Sequence, residues 1–282
     1  MNMSTKNLSV DPKIYDENYY LSVCLGSEEF KKSGGKVLHP RLEKLLQQLP
    51  VTKDYRILDV GCGRGDITLY LGKNAKEAIG IDYSKAAIKI ANSIKQNFPP
   101  DRQKRVQFRL MDIKQLAFPD NYFDLIIGID VIEHLYKDEV EVAMKEMKRV
   151  LKKDGTLFIH TGTNKLLYEF TYKYYTLPVN KLLTGIDQLS KGVTYEGLPK
   201  DPRTFEEKNQ HVNEPTYFYL KHLFKKYGFE GKIQIDIAYI KPGKGIKTII
   251  YNALIAFYPL SKMYPLNILF GWVFICNMKN LK

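Results

Sequence analysis

Two apolar rhythms alternate along the chain. Five short runs read as strands: RILDV at 56–60, EAIGID at 77–82, VQFRLMD at 106–112, FDLIIGIDV at 123–131 and TLFIHTG at 156–162. Several are apolar on both faces, as in strands covered by helices on each side. Between the second and third, Ser84 is placed to cap a helix whose Ala87, Ile90, Ala91 and Ile94 fall at i, i+3, i+4 and i+7. Between the fourth and fifth, Val140, Ala143, Met144, Met147 and Leu151 repeat that period, with Lys152, Lys153 and Gly155 near its end. The methionines there read as core filler. Strand and helix in alternation predict an α/β fold with a mostly parallel sheet and helices on both faces.

After Gly162 the rhythm breaks. Tyr168, Phe170, Tyr172, Tyr174, Tyr175 and Tyr195 stand among Lys, Gly and Pro, which predicts an inserted aromatic cap. A helix from about Pro215 to Tyr227 would bury Leu220, Leu223, Phe224 and Tyr227 and stop at Gly228, before a strand KIQIDIAYI at 232–240. The tail from Thr248 to Met278 is very apolar, yet Lys262, Pro259 and Pro265 cut it into pieces too short to span a bilayer. It reads as a last helix plus a buried edge strand, GWVFICNMK at 271–279, with membrane-surface contact as the competing reading. The expected division is an N-terminal helical segment at 1–50, a cofactor-binding core at 51–162, a cap at 163–214 and the rest of the core at 215–282.

The 282 residues carry 43 Lys and Arg against 31 Asp and Glu, a net charge of +12 that suits an anionic partner without choosing one. Cys24, Cys62 and Cys276 are far apart and odd in number, so no disulfide framework is expected and a reducing, cytoplasmic setting is. The opening MNMSTKNLSV lacks the basic start and apolar stretch of a secretory signal.

The first strand runs into DVGCGRGD at 59–66, where Gly61, Gly63 and Gly65 permit a tight turn that brings backbone close to a nucleotide-like ligand. Asp82 ends the second strand, 21 residues after Gly61, where a carboxylate accepts from both hydroxyls of a ribose. The dinucleotide fingerprint calls for glycine at position 66, but Asp66 stands there, and Asp59 precedes the turn. Two acids repel a pyrophosphate and tolerate a cofactor with a positive centre. An NAD-dependent oxidoreductase is the alternative that shares strand, turn and acid; a non-catalytic protein that retains the cofactor fold is another.

ILDVGCGRGD and GIDYS resemble the first two motifs of the class I S-adenosylmethionine-dependent methyltransferases, in particular the type-11 family. LMDIKQLAFPDNYFDLIIGIDVIEHL and EMKRVLKKDGTLFIHT continue the similarity, in detail from about 55 to 162 and loosely to 240. The resemblance implies a Rossmann-like seven-stranded sheet with its last strand antiparallel and S-adenosyl-L-methionine as cofactor. By position it implies Gly61, Cys62, Gly63 and Gly65 at the methionine end, Asp82 and neighbouring Tyr83 at the ribose, Asp112 and Ile113 at the adenine, and Ile129 with Asp130 closing the sulfonium pocket. Asp59 reads equally as a cofactor contact or as a structural acid that orients the turn, and Asp112 has a turn acid as its plainer reading.

His134 and His160 lie at or just beyond the ends of the fourth and fifth strands, where α/β sheets present ligands, and are the candidate bases, with Asp130 beside them. Asp130, Glu133 and His134 form D-x-x-E-H, similar to the E-x-x-E-H of ubiquinone-biosynthesis O-methyltransferases that holds a divalent metal. Asp replaces the first Glu here, and no metal is expected. His211 either faces the cleft or serves a helix start. YDENYY at 15–20 resembles the aromatic start of type-11 enzymes, where a Tyr folds over the cofactor; Tyr15, Tyr19 and Tyr20 are the candidates. The expected activity is methyl transfer to a small or lipid-linked hydrophobic acceptor, at oxygen, with contact at a membrane surface. Nucleic acid is not the expected partner, because GIDVIEHL occupies the place where amino-directed base methyltransferases carry N/D-P-P-Y/F.

Overall fold

A computed structural model describes residues 10–162, 164–192, 199–237, 241 and 245–282. Tyr195 of the expected cap, residues 238–240 of the expected strand and the start of the N-terminal segment lie outside the described residues. Seven strands form one sheet: β1 Arg56–Val60, β2 Glu77–Asp82, β3 Val106–Leu110, β4 Phe123–Ile129, β5 Leu151–Thr161, β6 Phe229–Ile237 and β7 Gly271–Asn280. Their order is β3-β2-β1-β4-β5-β7-β6. The first five pair in parallel, and β7 runs antiparallel to both of its neighbours, β5 and β6.

Alternation along each strand sends side chains to two helical layers. Ile57, Leu125, Ile127 and Phe158 pack under α2 Pro40–Leu46, α3 Asp66–Leu71 and α4 Lys85–Lys95. Leu58, Ile79, Ile81 and Ile126 pack under α6 Lys137–Val150 and α9 Tyr217–Lys226 on the other face. Ser84 caps α4 by accepting from Ala87 N at 3.3 Å, and Ala87, Ile90, Ala91 and Ile94 are its buried residues.

Several expected boundaries move. β3 stops at Leu110, and β4 stops at Ile129 because Asp130 takes a left-handed φ of 55°. Leu151 does not close α6 but opens β5, which begins five residues earlier than the apolar run indicates. The helix expected from Pro215 starts at Tyr217, because Thr216 is the residue that accepts from the free Tyr219 amide, at 3.2 Å. The strand at 271–279 is not an edge strand: β7 is hydrogen-bonded on both sides, and Val273, Phe274 and Cys276 are fully enclosed. β6, not β7, stands at the edge.

The chain between β5 and α9 forms a lobe: a π-helix at Leu167–Thr176, then α7 Leu177–Lys191 and, further on, α8 Phe205–Gln210. Part of the tail joins it as α10 Ile246–Ala256 and α11 Leu266–Phe270. Tyr175 OH donates to Leu254 O at 2.6 Å, and Ile255, Ala256 and Phe270 make a small core of their own. The lobe thus draws on two separated stretches of chain rather than on 163–214 alone. No helix among the described residues is long and apolar enough to cross a membrane.

Candidate active site

The carboxyl ends of the parallel strands open into a cavity of about 620 Å³, the place where doubly wound sheets receive ligands. Gly61, Gly63 and Gly65 all have positive φ, which only glycine adopts without strain. Cys62 N donates to Ile81 O at 2.9 Å, which draws the turn against β2. Gly61 and Gly63 line the cavity; a Cβ on Gly63 would meet the Tyr20 ring at 3.2 Å.

Asp82 is buried at the end of β2 and accepts from Gly63 N at 2.9 Å and Ser84 N at 2.8 Å. Burial raises its pKa, and those amides hold it back down. Asp82 lines the cavity, where its carboxylate is an acceptor for hydroxyl donors. Tyr20, Tyr83, Asp112, Ile113 and Ile129 line the same cavity. Asp112 also does the work of a turn acid, accepting from Lys114 N at 2.9 Å and pairing with Lys114 Nζ at 3.3 Å.

Two residues of the expected cofactor set are elsewhere. Gly65 is turned into the helix–sheet packing, where a Cβ would lie 2.5 Å from Phe108 and 2.8 Å from Ala91. Asp59 is absent from the cavity wall; it is buried and accepts from Thr68 Oγ1 at 2.5 Å, which pins α3 to β1. Burial pushes its pKa up to about 7. Asp66 does line the cavity, but Arg64 Nε pairs with it at 3.1 Å. The two acids thus present little free charge, and the repulsion argument against a pyrophosphate loses most of its force.

The N-terminal aromatics close the cavity. Arg64 donates to Tyr20 O at 2.9 Å and Leu25 O at 2.6 Å, tying that segment over the glycine turn. Tyr15 is buried, and its hydroxyl lies 2.8 Å from His134 Nδ1. The His134 ring packs edge-on to His211 at 4.9 Å. Burial, then His211, lower the His134 pKa to about 4, so the ring is neutral at physiological pH. His160 sits deeper: its Nδ1 is 2.6 Å from Asp130 Oδ1 and its Nε2 is 3.2 Å from Arg41 Nη2. A guanidinium only donates, so His160 Nε2 accepts and the proton sits on Nδ1, given to Asp130. Burial opposes ionisation of Asp130, but His160 and Arg41 prevail and hold its pKa below the usual carboxylate value.

Asp130, Glu133 and His134 do not converge on a point. Glu133 points to Thr161 Oγ1 at 2.9 Å and Gly162 N at 3.0 Å, while Asp130 and His134 go to His160 and Tyr15. Among the described residues, no group of three or more His, Cys, Asp or Glu is arranged to hold a metal ion. Burial and the neighbouring Asp130 push Glu133 up to about 8, so it spends neutral pH largely as a carboxylic acid. Sequence reasoning missed Arg41, which lines the cavity from the start of α2 and lies over the Trp272 ring at 5.3 Å. Its only sequence signal is a basic residue in a helix ahead of β1.

Residues 58–159 match the family model described as a methyltransferase domain, type 11. Over that stretch, about a third of its length, the chain is similar to a methyltransferase domain. Over 107 residues the chain is 36% identical to the mitochondrial ubiquinone biosynthesis O-methyltransferase of Rattus norvegicus, a match that covers 38% of this chain and 30% of that enzyme. It is 27% identical over 195 residues to the phosphoethanolamine N-methyltransferase of Plasmodium falciparum, covering 67% of this chain and 71% of that one. The solved structure of an S-adenosylmethionine-dependent methyltransferase from Mesorhizobium loti superposes with a TM-score of 0.52 at 15% identity, over 84% of this chain and 96% of that one, a likeness of fold. The stretch aligned to the rat enzyme is thus under a third of that enzyme's length.

Proposed function

We propose that the chain transfers the methyl group of S-adenosylmethionine to a hydroxyl of a small or lipid-linked acceptor. The observation that carries the reading is the contact of Tyr15 OH with His134 Nδ1, on the wall of the same cavity as Gly61, Gly63 and Asp82. The names of the ubiquinone-biosynthesis relatives support an oxygen acceptor.

The bound cofactor supplies an electrophilic methyl group on a sulfonium. In this reading Asp82 holds the ribose, Asp112 and Ile113 flank the adenine, and Arg41 provides a countercharge for the carboxylate of the amino-acid end. As the methyl passes to the acceptor oxygen, that oxygen's proton goes to His134 Nδ1 by way of the Tyr15 hydroxyl. His134 is the candidate base of the two histidines because its Nδ1 accepts from the Tyr15 hydroxyl, whereas His160 is held between Asp130 and Arg41. The aromatic wall excludes water, and alignment supplies the rest of the rate.

The test is transfer of labelled methyl from S-adenosylmethionine into a cell extract, with fractionation of the product. His134→Ala is expected to lower turnover by about 100-fold or more while leaving cofactor affinity within a few-fold, as read by calorimetry. Full turnover in a variant lacking both His134 and His160 would remove the base. A labelled amine in place of an ether or ester would move the acceptor to nitrogen, as in the name of the Plasmodium relative.

A further inference from the structure

We infer that the lobe formed by residues 164–192 and 245–270 is a docking surface for a bilayer containing anionic phospholipid. Along α7, Leu182, Ile186 and Leu189 follow at i, i+4 and i+7 and are 64%, 56% and 90% exposed. Along α10, Ile246, Ile250 and Leu254 form a second stripe, 70%, 52% and 43% exposed. The opposite side of α10 is occupied: Asn252, Ile255 and Ala256 are buried, and Ile255 and Ala256 pack with Phe270 and Tyr175. The outward stripes are therefore not a core that happens to be loose. Beyond α10, Met263 and Tyr264 add 64% and 69% exposed side chains on the next turn of chain. Apolar surface on this scale, gathered on packed helices, marks an interaction site rather than ordinary scatter.

Charge chooses the occupant. Residues 241–265 contain four lysines and no Asp or Glu. Lys262 lies 4.7 Å from the centre of the Tyr258 ring, and across the lobe Lys173 lies 5.0 Å from that of Tyr174. Ammonium groups on aromatic rings beside apolar stripes match the headgroup level of an anionic membrane, where each cation adds about 1 kcal/mol of attraction. A second copy of this chain fits worse, because an isologous pairing would set lysines against lysines. No described helix is long enough to span, so the lobe would lie in the interface with its stripes among the acyl chains.

The lobe is also fastened to the cavity. Asn164 Nδ2 donates to Ile268 O and Gly271 O, each at 2.8 Å, and Trp272 on the cavity wall donates from Nε1 to Tyr168 OH at 2.8 Å. If the methyl-transfer reading holds, docking sets the cavity beside membrane-borne acceptors; docking itself does not rest on that reading.

The experiment is co-sedimentation of the full chain with phosphatidylcholine vesicles, with and without about 30% phosphatidylglycerol. Binding is expected to rise at least about tenfold with the anionic lipid and to fall at least about tenfold in a Leu189→Asp, Ile250→Asp double variant. Lys181→Glu with Lys262→Glu is expected to lower binding only to the anionic vesicles. Circular dichroism and cofactor calorimetry show that the variants remain folded, since every altered side chain is exposed. Absence of binding to either vesicle overturns the inference, as does equal binding to both or unchanged binding by the double variant. A dimer in light scattering that the double variant dissociates, without vesicle binding, would assign the face to a second copy and overturn it too. Loss of methyl transfer with vesicle binding intact would sink the proposed activity and leave the docking surface standing.

Discussion

The stretch 51–162 and the lobe at 164–192 and 245–270 are both rich in apolar residues and spend them differently. In 51–162 the large apolar side chains are nearly all enclosed, with only Leu110 and Val142 exposed among the large ones, at 50% and 41%. In the lobe whole helical stripes face outward. The first region uses its hydrophobicity to hold the glycine turn and the strand ends in a packed core. The second region holds much of its hydrophobicity on a face that the rest of the chain does not cover. In the proposed readings the chemistry belongs to the first region and the choice of surroundings to the lobe, a common division in folds whose sites are grafted onto a fixed scaffold.

The comparison is broken most severely at two glycines with similar backbones. Gly65 has φ 84° and would place a Cβ 2.5 Å from Phe108; Gly192, at the end of α7, has φ 63° and nothing within 4 Å. Gly65→Ala is expected to cost about 3 kcal/mol or more and Gly192→Ala about 1 kcal/mol. Urea unfolding of the two variants measures the difference, and equal costs would mean that packing around the turn is not the constraint.

Next in size is Asp82→Ala, which removes the proposed ribose acceptor and the acceptor for Gly63 N. It is expected to weaken cofactor binding by about 100-fold or more, as read by titration calorimetry.

A third outcome concerns pH. Asp59 has a folded pKa of about 7, above its ordinary value of 3.8, so the folded state binds more protons than the unfolded state between those values. Its contribution to stability is therefore complete below about pH 4 and is lost as pH rises through 7. Asp59→Asn is expected to remove a slope on the order of 2–4 kcal/mol across that window, as measured by urea unfolding at several pH values. His134 has the opposite sign: its folded pKa of about 4 lies below 6.5, so its term weakens the fold as pH falls from 6.5 to 4.

The smallest effect belongs to the lobe. Leu189→Gln, at a side chain 90% exposed, is expected to change stability by less than about 0.5 kcal/mol and to leave cofactor affinity unchanged. A large loss of stability would show that the stripe is part of the lobe's core.

What was legible in the sequence follows the same division. β1 and β2 could be read to the residue, and α4 by its cap and buried face, because the strands are short apolar runs and the helix repeats at 3.6 with a serine at its start. The boundaries that moved depend on tertiary pairing: Leu151 is apolar in either a helix or a strand, and its pairing with Phe123 decides for β5. That β7 lies inside the sheet follows from chain topology, which no local pattern records. In the site, the cavity position of Asp82 follows from strand and spacing. Asp59 and Gly65 belong to the same motif but face the other way, Asp59 toward Thr68 of α3 and Gly65 into Phe108 and Ala91. Arg41 reaches the cavity from a helix that motif spacing does not connect to it.

The placement of β7 has a consequence for how the molecule is made. β6 has β7 as its sole partner in the described sheet, and the 33 residues 238–270 separate the two in the chain. While a ribosome is still adding those residues, the parallel half can already assemble, but β6 has no strand to pair with until β7 emerges. During that interval its exposed amides and carbonyls are open to any passing extended peptide. Nascent chains halted before residue 271 should accordingly engage holding chaperones, and release from them should coincide with the emergence of Gly271–Asn280.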